Sequence, residues 1–261
     1  MAGHYDSIGR TYTITRAADP RITQKLQDLL ALGTGTRLID IGAGTGNYSH
    51  ALAQAGFHVT AVEPSKTMRD QASPHDNLLW FDAKAESLPF SDAEFDGAIM
   101  TLCLHHFADW QQGIREALRV SAGGPLVVFA FDIEHKAAFW LFDYFPEFID
   151  IDKNWAPTMD ELARFVTEDL AASFERFPFP LPKDLVDHFA SADWAHPQAY
   201  LQDEFRRGIS SFAKLTEQQM TRGLQELQAD LDSGSWLEKY GELLEHDEYD
   251  RGYLFLRIYK E

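Results

Sequence analysis

Arg37-Leu-Ile-Asp-Ile-Gly-Ala-Gly-Thr-Gly46 is the stretch that decides the fold. Leu38, Ile39 and Ile41 form the short apolar run of a strand buried on both faces, and Gly42, Gly44 and Gly46 break it at once. A helical pattern follows directly, with Tyr48, Ala51, Leu52 and Ala55 on one face and Gly56 at its end. Strand, glycine turn and helix open a doubly wound α/β sheet, in which ligands bind at the carboxyl ends of the strands. The next strand, Phe57-His-Val-Thr-Ala-Val62, ends on Glu63, an acid suited to accept hydrogen bonds from two ribose hydroxyls. A nicotinamide dinucleotide and an adenosyl ligand both fit this pairing of turn and acid.

The spacing of the turn separates the two. A dinucleotide fingerprint reads G-x-G-x-x-G; here Asn47 takes the third glycine's place and the last glycine falls one residue earlier, at Gly46. The run Asp40-x-Gly42-x-Gly44-x-Gly46 resembles motif I of the class I S-adenosylmethionine-dependent methyltransferases. That resemblance implies S-adenosyl-L-methionine as cofactor and S-adenosyl-L-homocysteine as product. Asp40, Gly42, Gly44, Gly46 and Glu63 would hold it, and Pro64, Ser65 and Met68 would line the adenine slot. Further on, Ala85-Glu86 and Leu88-Pro-Phe90 match the family's G-D-A-E-x-L-P-F segment. Lys84 stands where the family commonly places an adenine-binding acid, which leaves that contact to the backbone near Ala85 or to Asp82. Thr101, close to the end of the fourth strand, completes the expected cofactor set. The resemblance covers residues 37–131 well and the flanks loosely. Its nearest group holds quinone-biosynthesis C-methyltransferases and small-molecule O- and N-methyltransferases.

Outward from the turn, strand and helix patterns alternate to residue 131, which predicts parallel strands with crossovers on both faces. The expected strands are 37–41, 57–62, 78–81, 97–102, 125–131, 174–179 and 252–259, with prolines confining the sixth to an edge. The family resemblance implies a seven-stranded, mostly parallel sheet whose last strand returns antiparallel between the fifth and sixth. Residues 1–36 read as an N-terminal lid segment and a helix opened by Asp19-Pro20 and closed by Gly33. Residues 37–181 read as the cofactor-binding core, 182–250 as a helical insertion without strands that caps the site, and 251–261 as the final core strand.

Composition narrows the partners. Among 261 residues, 41 acids against 23 bases leave a net charge of −18, a field that disfavours nucleic-acid substrates. The single cysteine, Cys103, excludes an intrachain disulfide and a thiolate zinc cage. The ten histidines show no metal-ligand spacing, so no metal is expected. Met1-Ala-Gly-His-Tyr-Asp lacks the pattern of a secretory signal, and no window has the length and apolarity of a membrane span. A cytoplasmic protein with a small-molecule partner is the expectation, and the sequence does not decide between monomer and homodimer.

Methyl transfer from a sulfonium asks the protein for position and water exclusion, and for a base only when the acceptor must lose a proton. His105 and His106 follow the fourth strand beside the switch point and are the candidate bases, His105 first. Tyr5, Tyr12 and Arg16 in the lid segment, Asp132 at the end of the fifth strand and Trp140 in the aromatic run 139–155 are the candidate acceptor contacts. Ordinary core packing is the competing reading of the aromatics. Two other functions stay open on the sequence: an NAD(P)-dependent oxidoreductase, and a methyltransferase-like binding protein without catalysis, to which Lys84 lends support.

Overall fold

The structure, a computed structural model, describes residues 15–121, 123–135, 139–153 and 156–260. Tyr5 and Tyr12 lie outside the described residues.

Helix α1 (Pro20–Leu30) begins where Asp19 accepts a hydrogen bond from the Arg21 amide, and it buries Ile22, Leu26, Leu29 and Leu30. It stops at Ala31, whose φ of 53° ends the helix two residues before the expected Gly33. Strand β1 (Arg37–Ile41) leads through the glycine turn into α2 (Asn47–Gln54), and β2 (His58–Val62) into the single turn α3 (Lys66–Arg69). Strands β3 (Leu78–Phe81) and β4 (Gly97–Thr101) follow, then α4 (Trp110–Val120) and β5 (Leu126–Phe131). In β1 and β2 every residue after the first is buried, as a strand covered on both faces requires.

After β5 the chain forms α5 (Leu141–Tyr144), α6 (Glu147–Lys153) and α7 (Met159–Arg164), then β6 (Ser173–Pro178) and the two-residue β7 (Leu181–Pro182). Helices α8 (Asp203–Arg207), α9 (Glu217–Ser233) and α10 (Ser235–Tyr240) precede β8 (Glu248–Tyr249) and β9 (Tyr253–Tyr259).

The main sheet has the order β3-β2-β1-β4-β5-β9-β6. Strands β1 to β5 are parallel, and β9 runs antiparallel to both β5 and β6. The expected seven-stranded sheet is therefore present, with β6 at an edge and ending on Pro178. The expectation of no strand between 182 and 250 is corrected: Leu181 and Pro182 pair with Tyr249 and Glu248, a ladder that ties the two ends of this segment together.

The aromatic run joins the segment after residue 182 in one packed layer. Phe145 sits where a Cβ on Gly223 of α9 would be, 2.3 Å from its ring, so only glycine fits beneath it. Arg222 of α9 grips Glu147 of α6 with two 2.9 Å hydrogen bonds. This layer is continuous with the core on one face of the sheet, through Phe129 and Phe255; α4 and α7 bury the other face.

Candidate active site

The register aligns the carboxyl ends of β1, β2 and β4, with Asp40 opposite Ala61 and Ile99 and with Ile41 opposite Val62. Above these ends lies a cavity of about 430 Å³. Asp40, Gly42, Gly44, Glu63, Pro64, Ser65, Met68, Ala85, Glu86 and Thr101 all line it. The local chemistry explains how they come together. Glu63 stands just past β2; one of its carboxylate oxygens accepts from the Gly44 amide at 3.1 Å and the other from the Ser65 amide at 2.8 Å. One acid thus joins the glycine turn to the first turn of α3. Burial raises the Glu63 carboxyl above the usual range, and these two amides oppose the rise.

Asp40 is 2% exposed and accepts from the Ser49 hydroxyl at 2.5 Å through Oδ2. Its Oδ1 has no hydrogen-bond partner, and neither has the buried Thr101 Oγ1. Burial, with the charge of Glu63 adding to it and the Ser49 hydrogen bond opposing, lifts the Asp40 carboxyl to about 7. Two orphaned oxygens on residues that line one cavity are what a ligand with several N–H donors would satisfy.

Gly46 does not line the cavity, contrary to expectation. Its φ is 77°, and a Cβ there would lie 2.4 Å from the Trp80 ring, so this third glycine serves the turn and the packing beneath β3. Asp82 also stays out: its carboxylate pairs with Arg69 at 2.7 Å and is 68% exposed. Lys84 faces the cavity in its stead. The Glu86 carboxylate accepts from the amides of Ala108 and Asp109, which fastens the loop after β3 to the start of α4.

The cavity's far side is closed by Arg16, expected at the site, together with Tyr48, Asp187 and Lys214, which sequence reasoning did not assign to it. Asp187, between β7 and α8, accepts from the Tyr48 hydroxyl at 2.8 Å and from Arg16 Nε at 2.5 Å. An acid set among Leu185, Val186 and Phe189 was the available signal for Asp187.

The histidines divide differently from the expectation that favoured His105. The short 3-10 turn Leu104–His106 sends His106 to the large cavity and turns His105 away from it. Burial, with Lys214 and Arg16 adding to it, lowers the His105 imidazole to about 3. A ring held that far down is a poor proton acceptor near neutrality. Leu102, immediately after β4, has a φ of 51°, a conformation that a leucine adopts only under constraint.

A second cavity of about 90 Å³ adjoins the first and shares Arg16, Leu102 and His106 with it. His105, Phe139 and Phe142 are among its other walls. Trp140, expected here, is instead core: it is 2% exposed, and its indole N–H donates to the Trp194 carbonyl at 2.8 Å. Adjacent residues of an aromatic run point in different directions, and Phe139 took the cavity-facing position. Asp132 lines neither cavity; its carboxylate accepts from the Glu134 amide in the loop after β5.

Residues 39–129 match the family model described as a methyltransferase domain. Demethylmenaquinone methyltransferase of Corynebacterium urealyticum is 30% identical over 50% of this chain and 59% of its own length. The 27-O-demethylrifamycin SV methyltransferase of Amycolatopsis mediterranei is 33% identical over 48% of each chain. The chain thus spans about half the length of these curated relatives. A solved structure from Anabaena variabilis, described as a candidate methyltransferase from an antibiotic biosynthesis pathway, is 42% identical. It superposes with a TM-score of 0.89 over 93% of this chain and 98% of the other. The phosphoethanolamine N-methyltransferase 2 of Haemonchus contortus, solved in complex with S-adenosyl-L-methionine, is 16% identical with a TM-score of 0.58 over 99% of this chain and 56% of its own; it shares the fold. Sheet order, glycine turn and these similarities agree, and the chain belongs to the class I S-adenosylmethionine-dependent methyltransferase family.

Proposed function

We propose that the protein is an S-adenosylmethionine-dependent methyltransferase acting on a small, partly apolar acceptor, with the large cavity as its cofactor site. The observation that carries this reading is the pair of buried, unpartnered oxygens, Asp40 Oδ1 and Thr101 Oγ1, on two residues that line a cavity walled by the glycine turn and Glu63. S-adenosylmethionine, when bound, supplies a methyl group on a sulfonium, already activated for displacement.

The chain's residues then have separable tasks. Asp40 and Thr101 accept hydrogen bonds from the ammonium of the methionine end. Glu63 retains lone pairs for the ribose hydroxyls after accepting from Gly44 and Ser65. Met68 and the backbone around Ala85 border the adenine. His106, on the wall shared by both cavities, receives the proton that an O–H, N–H or activated C–H acceptor gives up as its bond to the methyl carbon forms.

The similarity to the demethylmenaquinone and demethylrifamycin enzymes supports a small organic acceptor. Methyl-donor consumption against a metabolite panel tests the reading. Turnover of S-adenosylmethionine that depends on one acceptor is expected. Cofactor binding without turnover on any acceptor, in wild type and His106→Ala alike, would favour a non-catalytic binding protein.

A further inference from the structure

The chain carries a net charge of −18, yet the smaller cavity has no acidic residue among those described in its lining. Its charged residues are Arg16 and Arg251. Arg16 is neutralised by Asp187. Arg251, just before β9, makes no ion pair with a carboxylate of the described residues, and its buried Nε has no hydrogen-bond partner. Its guanidinium instead rests on two rings of the same cavity, 4.9 Å from the centroid of Phe142 and 5.3 Å from that of Phe139. Cation–π contact holds a guanidinium in place without satisfying its five N–H donors.

The two arginines sit at different places in the pair of cavities. Arg16, Leu102 and His106 line both, whereas Arg251 lines only the smaller one. Resting on the cofactor reading above, we infer that the smaller cavity is the acceptor site and that it selects a substrate bearing a carboxylate, anchored by Arg251 away from the shared wall. The atom that takes the methyl group then lies at the other end of the acceptor, beside His106. Planar, bidentate pairing is what an arginine fork offers a carboxylate. A cavity of about 90 Å³ with one uncompensated cation among its described residues suits a monoanion on a small apolar body rather than a phosphate dianion, whose second charge would stay unbalanced. The serines 191, 210 and 211 at the same wall supply polar contacts without charge.

The test uses the full-length protein saturated with S-adenosylhomocysteine and matched probes, benzoate with benzamide and trans-cinnamate with trans-cinnamamide, titrated by calorimetry. Each carboxylate is expected to bind at least tenfold more tightly than its amide. Arg251→Met should erase that preference, Arg251→Lys should keep part of it, and the affinity for S-adenosylhomocysteine should stay within twofold of wild type in both. Equal binding of acid and amide, no binding of either, or a preference that survives in Arg251→Met would overturn the inference. If Arg251→Met does not fold, the wild-type contrast and the lysine variant still decide it. Failure of S-adenosylhomocysteine itself to bind is a separate outcome that brings down the cofactor reading and this inference with it.

Discussion

The hydroxyl of Tyr48 donates to the carboxylate of Asp187 at 2.8 Å, joining residues 139 apart in the chain. Tyr48 lies in the first turn of α2, after the glycine turn, and Asp187 lies between β7 and α8, so this bond fastens the segment after β7 to the glycine-turn side of the large cavity. Arg16 completes the contact with a carboxylate that is 1% exposed. Removing one charge of a buried pair costs about 3 kcal/mol or more, and for a chain of this size each kcal/mol lowers the melting temperature by roughly 2–4 °C. Asp187→Asn should therefore melt roughly 10 °C below wild type by calorimetry. Tyr48→Phe, which removes one hydrogen bond, should cost only about 1 kcal/mol. Equal melting temperatures for Asp187→Asn and wild type would show that the clasp is not structural.

Asp40 gives the ligand-free protein a pH dependence of definite sign. Burial holds its carboxyl at about 7 in the folded state, above its value in the unfolded chain. The stability it contributes is whole below the unfolded value and is lost as pH rises through about 7. The difference in melting temperature between wild type and Asp40→Asn should therefore shift against wild type from about pH 5 to about pH 8. Affinity for S-adenosylhomocysteine should move the other way, strengthening as the carboxylate forms, with proton release on binding below neutrality. A binding curve that is flat over this range, or the same in Asp40→Asn, would deny Asp40 its place in the site.

The two histidines should separate in kinetics. On whichever acceptor turns over, His106→Ala should lose about 10²-fold or more in kcat with the affinity for S-adenosylhomocysteine unchanged. His105→Ala should retain an unaltered pH profile, because a ring held near 3 does not titrate in the working range. A basic limb in the wild-type profile that disappears in His105→Ala rather than in His106→Ala would reverse the assignment.

Gly46 tests the turn itself. At φ 77° a side chain is strained by roughly 1–2 kcal/mol, and a methyl group 2.4 Å from Trp80 adds roughly 1–3 kcal/mol of overpacking. Gly46→Ala should lose about 2–5 kcal/mol in urea unfolding, and Trp80→Ala in the same chain should relieve the steric part.

The inner parallel strands were legible because they are buried on both faces and so appear as mainly apolar runs: Leu38 to Ile41 broken only by Asp40, Val59 to Val62 broken only by Thr60, and Leu126 to Phe131 unbroken. The final strand was legible for the same reason, as an apolar run isolated at the end of the chain. The ladder of Leu181 and Pro182 with Glu248 and Tyr249 was not, since two residues carry no periodicity and proline and glutamate carry no strand preference. The cofactor wall could be read because a glycine turn and a strand-terminal acid are local features with fixed spacing. Which histidine enters the cavity depends on the twist of one 3-10 turn, and whether Phe139 or Trp140 reaches it depends on packing against α9 and α10. Neither leaves a mark in the order of residues. Asp187 and Arg251 are brought to the site by folding alone.

The most direct measurement is a calorimetric titration of the wild-type protein with S-adenosylhomocysteine and, separately, with NAD. The account predicts saturable one-to-one binding of S-adenosylhomocysteine, weakened at least tenfold in Asp40→Asn and in Glu63→Gln, and no heat with NAD. Binding of NAD with no response to S-adenosylhomocysteine would contradict it.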